Sequence, residues 1–303
     1  MQKDFLSIAQ LDRGEMESLL RRAIEMKKEW KEGKAGLPLA GKTLGLIFHK
    51  PSLRTRVSFQ VGMYQLGGQV VYLTDAEIGL GKREAIQDVG EVLGRYVDGI
   101  MIRTFAHSHA EELAAHAPIP VINGLTDLLH PCQILADLMT VLEHRGNLDD
   151  LTVSYFGDGN NVANSWVNAA GVLPFAFRIA CPEGYEPDAE ILAAARARGA
   201  GTIEVTHDAK AAAKDTDVLY ADVWASMGQE AEKAARAKIF APYQLNAGLA
   251  ALARKDHLVL HCLPAHRGEE ITAEVIDGSH SVIYDEAENR MHAQKAILER
   301  LMA

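Results

Sequence analysis

Apolar positions along the first 145 residues switch back and forth between two periods. Met16, Leu19, Leu20, Ile24 and Met26 recur at helical spacing within GEMESLLRRAIEMKKEWKEGK, which predicts a first helix. The run TLGLIFHK predicts a strand that closes at Pro51, because a proline forces the residue before it out of helical conformation. SFQVGMYQLGG then reads as a helix ended by Gly67 and Gly68, and QVVYLTD as a strand. Residues 84 to 96 carry a helical pattern, DGIMIRTF a strand and HAEELAAHA a short helix. IPVINGL is strand-like, and HPCQILADLMTVLEHRG predicts a long amphipathic helix.

The same alternation returns in the second half. LTVSYFGDG, FRIACP, TIEVTHD, DVLYADV and HLVLHCLP read as strands, with helices predicted in NVANSWVNAAGVL and DAEILAAARARG. The tail EAENRMHAQKAILERLMA is helical, with Met291, Ala293, Ile297 and Leu301 on one stripe. Strands alternating with helices predict an α/β protein in which each domain is a parallel β-sheet flanked by helices. A length of 303 residues suits two domains of roughly 150 each. The expected boundaries are 1–145 and 146–285, with the helix at 131–145 as connector. The C-terminal helix, 286–303, is expected to dock back on the first domain.

Composition narrows the classes. The chain holds 31 basic and 41 acidic residues, for a formal charge of −10. Nonspecific nucleic-acid or membrane-surface binding wants a net positive field, so neither is expected. No segment reaches the roughly 18 apolar residues of a membrane span. The N-terminus has acidic residues early and no long apolar run, so it reads as neither signal nor transit peptide. Cys132, Cys181 and Cys262 are odd in number with no paired spacing, which points away from a disulfide framework and toward a reducing, cytoplasmic setting.

Against that acidic background, KPSLRTRVSF places Lys50, Arg54 and Arg56 among the hydroxyls of Ser52 and Thr55, where a strand gives way to a helix. Unpaired amides at a helix N-terminus, two hydroxyls and an Arg fork make a cradle for phosphate or a similar anion. A well-capped helix with surface arginines is the plain alternative. In HPCQ, His130 stands before Pro131 at a strand's carboxyl end, where open α/β sheets put ligands. His130 and Gln133 there can donate to a carbonyl oxygen, or His130 can simply cap the helix. Arg103 closes an apolar strand, as a ligand clamp or as the partner of a carboxylate.

In the second half GDGNNVAN follows a clear strand but matches a dinucleotide fingerprint poorly, with Ala163 one position late and no acidic residue about 20 residues on. No nucleotide cofactor is expected, and Asn160 and Asn161 can instead bind a carboxylate. DVWASMGQE offers Asp222 for an amino group, Ser226 as a hydroxyl, and Gly228 for close backbone approach. HCLPAHRGEE puts Cys262 at another strand end, better suited to packing or hydrogen bonding than to covalent catalysis. Arg290 in ENRMH can reach an anion from the last helix.

SLRTR, HPCQ, GDGNN, DVWASMG and HCLP, in this order and at these separations, closely resemble the ornithine carbamoyltransferase family over nearly the whole chain. The resemblance implies transfer of the carbamoyl group of carbamoyl phosphate to the δ-amine of L-ornithine, a step of arginine metabolism, in a cleft between the two domains. It implies that Ser52, Leu53, Arg54 and Thr55 grip the phosphate, with Arg103, His130, Gln133, Cys262, Leu263 and Arg290 completing the carbamoyl phosphate site. Arg103, His130 and Cys262 are the implied catalytic residues. Asn161, Asp222, Ser226 and the Met227 backbone would orient ornithine. The implied chemistry needs neither metal nor cofactor and works best at alkaline pH, since a free amine of this type titrates near pH 10. The family is commonly a trimer or a multiple of trimers.

Two departures stand out. Leu53 replaces the second hydroxyl residue of the family's Ser-Thr-Arg-Thr, leaving its backbone amide to serve. The loop DAEIGLGKRE, 75–84, has Glu77, Lys82 and Arg83 where many relatives carry a glutamine, with Lys82 a candidate to approach a neighbouring subunit. The alternative within the class is a carbamoyltransferase for N-acetylornithine, putrescine or aspartate. Asp222 and Ser226 favour a free α-amino group, and residues 222–229 lack the extra cation a second carboxylate would want.

Overall fold

The structure, a computed structural model, describes residues 3–225 and 230–303. The chain forms two compact units, one of residues up to Met139 with Glu288–Ala303, the other Thr140–Ala287. Two helices, Pro131–Arg145 and Ile283–Met302, each run from one unit into the other.

The first unit is built on β1 (Thr43–Phe48), β2 (Gln69–Thr74), β3 (Gly99–Arg103) and β4 (Val121–Leu125), all parallel, in the order β2-β1-β3-β4. β3 is buried at every residue and β1 at all but Thr43, as expected where crossover helices cover both faces of a parallel sheet. The second unit has β5 (Thr152–Phe156), β6 (Ala176–Ala180), β7 (Thr202–Thr206), β8 (Val218–Ala221) and β9 (Leu258–Leu260), also parallel, in the order β7-β6-β5-β8-β9. Strand order therefore reverses between β1 and β3 in one unit and between β5 and β8 in the other. Such a reversal opens a crevice at the carboxyl ends of the strands, the usual place for ligands in open α/β sheets.

Aromatic packing anchors the second sheet. Trp166, fully buried on the helix Asn161–Ala170, stacks on Phe177 at 6.1 Å and meets Phe175 and Tyr220 edge-on at 5.8 and 5.7 Å. In the first unit the helix Arg13–Lys31 starts with a capping box, in which Asp12 accepts from the Glu15 amide and Glu15 from the Asp12 amide.

Three elements differ from the sequence pattern. The helix from Pro131 is not amphipathic: every residue from His130 to Val141 is buried. Its polar members, among them Gln133 and Asp137, hydrogen-bond each other instead of facing water. The C-terminal helix starts at Ile283, three residues earlier than predicted, which puts Arg290 two turns inside it. Its buried set also goes beyond the apolar stripe and includes His292, Gln294 and Lys295. Lys295 donates to Gln65 Oε1 at 2.9 Å, Arg22 grips both oxygens of Glu299 at 2.6 and 2.8 Å, and Lys27 donates to Asn289. Short helices such as Asp75–Ile78 and Lys233–Phe240 carry too few turns to show a period in the sequence.

Burial, and then the nearby Lys295 charge, pushes His292 down to about 4. In the folded protein it stays neutral through mild acid, while in the unfolded chain it takes up a proton below its ordinary value of about 6.5. Its contribution is therefore present above pH 6.5 and lost as pH falls from there toward 4. A His292→Gln variant, which cannot take up that proton, should lose about 3 kcal/mol less stability over this range. Urea midpoints of variant and parent at pH 7.5 and pH 4.5 measure the difference.

Candidate active site

In the first unit β1 ends at Phe48, and Ser52 caps the helix Leu53–Gln65, its hydroxyl accepting from the Thr55 amide at 3.3 Å. Ser52 Oγ also donates to Thr55 Oγ1 at 3.2 Å. Two arginines converge on that same oxygen: Arg290 at 2.8 Å and Arg103 at 3.3 Å. Thr55, Arg103 and Arg290 are all buried. Arg54, Arg103 and Arg290 stand close enough to His130 for their charges to disfavour a second proton on its ring. Burial is the larger cause, and together they hold His130 well below its ordinary range. A neutral imidazole carries one N–H donor and one acceptor nitrogen. Gln133, one turn along, donates through Nε2 to Asp137 Oδ1 at 2.8 Å, which fixes the amide's orientation. Three guanidiniums, a neutral imidazole and a fixed amide at the β1/β3 reversal make a cationic pocket suited to an anion with an adjoining carbonyl oxygen.

The opening cluster of cations divides. Lys50 turns to Asp127 and lies over the Phe105 ring at 4.3 Å, while Arg56 stacks over Tyr72 at 3.9 Å. Of the three, Arg54 alone stays with the His130 group, and the other positive charges come from β3 and the last helix. Leu53 is 74% exposed, so its side chain leaves the Thr55 neighbourhood to its own amide. In the 75–84 loop Glu77 turns back on the amide and hydroxyl of Thr74, Arg83 donates to the Glu77 carbonyl, and Asp75 pairs with His49 at 3.0 Å. Lys82 is exposed.

In the second unit Asp222, buried just beyond β8, is the hub. Its Oδ2 accepts from Asn160 Nδ2 at 2.7 Å. Its Oδ1 accepts from the Val223 amide at 2.8 Å and from the Cys262 thiol at 2.9 Å. Asn160 is the helix cap and not a ligand group: its Oδ1 takes the amides of Val162 and Ala163 and the Tyr155 hydroxyl. Asn161 opens the helix beside it. Ser226 and Met227 lie outside the described residues.

Just past the glycine-rich turn, Asp158 pairs with buried Arg236, which also donates to the Trp224 carbonyl and lies 5.0 Å from both the Tyr185 and Phe240 rings. Burial foremost raises Asp158 to about 6, against the lowering effect of Arg236. After β9, His261 Nε2 meets Glu270 Oε1 at 3.2 Å and its Nδ1 accepts from the Leu263 amide at 2.9 Å. Leu263 sits at φ +58°, a left-handed conformation costly for a branched residue, and is followed by a cis bond to Pro264.

Comparison with known proteins gives the architecture a family. Residues 3–143 match the carbamoyl-P binding domain of aspartate/ornithine carbamoyltransferases, and residues 149–301 match the Asp/Orn binding domain. The ornithine carbamoyltransferase of Syntrophus aciditrophicus is 55% identical over 302 residues, covering 100% of both chains. The chain belongs to the ornithine carbamoyltransferase family. The ornithine carbamoyltransferase of Pelobacter propionicus is 52% identical, over 100% of this chain and 99% of its own. The structure of the ornithine carbamoyltransferase from Pyrococcus furiosus superposes with a TM-score of 0.95 at 49% identity, covering 99% of this chain and 96% of that one.

The structure brings together Ser52, Thr55, Arg103, His130 and Arg290 in one unit and Asp222 with Cys262 in the other. Sequence reasoning missed Asp137, Tyr155, Asp158, Arg236, His261 and Glu270. Asp137 was the readable one, since it stands four residues after Gln133 on the same helix face. Thr55→Val keeps the side chain's shape and removes the oxygen that Arg103 and Arg290 share. Hydrogen bonds to charged groups are worth about 1.5–3 kcal/mol each. Inorganic phosphate titrated into the variant should therefore bind at least roughly tenfold more weakly by calorimetry, with an unchanged circular dichroism spectrum.

Proposed function

We infer that the Arg103–His130–Arg290 group of the first unit takes carbamoyl phosphate and the Asp222 group of the second takes L-ornithine. The chain transfers the carbamoyl group of carbamoyl phosphate to the δ-amine of L-ornithine, giving L-citrulline and phosphate. The observation that carries the division of labour is the convergence of Arg103 and Arg290 on Thr55 beside a neutral His130. Ser52, the Leu53 amide, Arg54 and Thr55 hold the phosphate at a helix N-terminus, and Arg290 closes the pocket. Arg103, His130 and Thr55 surround the carbamoyl oxygen, with Gln133 on the carbamoyl amide. Asp222 takes the α-ammonium of ornithine, Asn161, Ser226 and the Met227 backbone orient the amino-acid end, and Cys262 with the Leu263 carbonyl flanks the δ-amine.

The neutral amine attacks the carbamoyl carbon, negative charge grows on the carbonyl oxygen, and phosphate leaves with the electrons of the breaking C–O bond, taking up the proton that the attacking nitrogen sheds. Fixed donors aimed at that oxygen lower the barrier because they need no reorganisation as the charge develops. His130, kept neutral, can donate without adding a fourth positive charge next to three arginines. The thiol of Cys262 already donates to Asp222, which supports a positioning role over a covalent one. The amine must be unprotonated, so turnover should rise toward alkaline pH, and a flat rate profile between pH 6 and 9 would count against this mechanism.

A homotrimer, or a multiple of trimers, is the proposed assembly. It is supported by an outer stripe on the helix Leu53–Gln65, where Leu53, Val57, Val61 and Tyr64 are exposed at helical spacing. Exposed Lys82 is the proposed reach toward a neighbour. Three free cysteines, two of them buried, support a reducing cytoplasmic setting. Among the described residues no helix is long and apolar enough to cross a membrane.

Two measurements test these roles. Ureido-product formation from carbamoyl phosphate with L-ornithine, N-acetyl-L-ornithine, putrescine and L-aspartate should give citrulline from ornithine alone. Turnover of another amine would overturn the role of Asp222 while keeping the phosphate site. Arg103→Met should lower kcat by roughly 10²–10³-fold, the usual cost of one lost oxyanion donor. Loss confined to KM would make Arg103 a binding group only.

A further inference from the structure

Beyond Asp222 and Cys262, the 261–270 segment carries a second group of ligand-type side chains that the transfer reaction does not use. His266, Glu269 and Glu270 each present one donor atom, and all three atoms lie within 4.8 Å of one another. Glu270 has a fully buried side chain. Its Oε1 is occupied, accepting from His261 Nε2 and from the His266 amide. Its Oε2 is buried without a hydrogen-bond partner and faces His266 Nδ1 at 3.5 Å. A buried, partly unsatisfied carboxylate is costly unless something compensates it.

We propose that His266 Nδ1, Glu270 Oε2 and a Glu269 carboxylate oxygen form a divalent-cation site of zinc type. The spacing fits. Two ligands on one tetrahedral zinc, each about 2.0–2.1 Å from the metal, stand about 3.3 Å apart. The 3.5 Å gap is close to that value. One imidazole nitrogen with two carboxylate oxygens suits zinc better than magnesium, which prefers oxygen and water.

The turn is also rigid before any metal arrives. The Gly268 amide donates to the Ile271 carbonyl and the Glu269 amide to the His266 carbonyl, both at 2.9 Å, with Gly268 at φ +91°. Gln244 Nε2 donates to the carbonyls of Gly268 and Glu269, and Arg267 is engaged by Asp277 at 2.6 Å. Glu269 pairs with Lys233 at 2.9 Å, an exposed pair that a metal can displace. Glu270 holds His261, and His261 Nδ1 takes the Leu263 amide, so a cation at Glu270 braces the segment that presents Cys262.

The test uses full-length Cys262→Ser protein stripped by chelator, so that no thiolate competes. Calorimetric titration with zinc chloride should show one ion per chain. Cobalt should bind the same protein without a thiolate charge-transfer band. Adding His266→Ala or Glu269→Gln, both at partly exposed positions, should weaken zinc binding by roughly tenfold or more without altering the circular dichroism spectrum. Adding Lys233→Ala should tighten it by freeing Glu269. Absence of zinc binding, or an affinity indifferent to His266→Ala, Glu269→Gln and Lys233→Ala, overturns the site.

Discussion

Two guanidinium groups meeting on one hydroxyl oxygen set the terms for the first unit. Arg103 and Arg290 both donate to Thr55, and like charges brought that close repel each other. Each arginine leaves a regular element: the last residue of β3, and the interior of a twenty-residue helix. An anion in front of Thr55 would offset part of that repulsion. His130 answers the same field. Surrounded by three arginines and buried, it gives up its second proton and remains a neutral donor.

The second unit solves the opposite problem. Asp222 is a buried carboxylate, and three donors from different parts of the chain share its charge: an amide from a helix cap, a thiol past β9 and the next backbone N–H. A buried carboxylate needs such partners, because burying a charge without hydrogen bonds is costly. The nearby Asp158 is balanced by Arg236, which draws the helix Lys233–Phe240 against the end of β5. Both units use the same device. A parallel sheet reverses its strand order, and the polar groups gather at the carboxyl ends beside the reversal.

Much of this was legible in the sequence because it depends on local rules. The strand-helix alternation follows from apolar period. The positions of Ser52, Arg103, Asn161, Asp222 and Cys262 follow from where apolar runs stop, since a polar residue just past a buried strand must find a partner. What the sequence hid depends on contacts between distant residues. Arg290 and Thr55 are 235 positions apart, so no spacing rule links them. Lys50 and Arg56 sit beside the anion cradle and yet leave it, because Asp127 and the rings of Phe105 and Tyr72 offer each a nearer partner. Asn160 was read as a ligand group, but a cap residue's side chain is already committed to its own helix. The helix from Pro131 misled in a different way: its polar residues suggest a solvent face, whereas Gln133 and Asp137 satisfy each other inside.

Net charge is a poor guide to what such a chain binds. At −10 the chain should repel anions at long range, yet Arg54, Arg103 and Arg290 gather their charges around His130. Screening in physiological salt extends over only about 8 Å, so the distant surface contributes little inside the pocket. Low local dielectric does the reverse and strengthens the few charges within it. The two units thus gather opposite charges at their strand ends, three guanidiniums in one and the Asp222 carboxylate in the other. An acyl phosphate and an amino acid bearing an ammonium group are the substrate pair that suits such local charges, and neither preference could be inferred from the sum of the chain's charges.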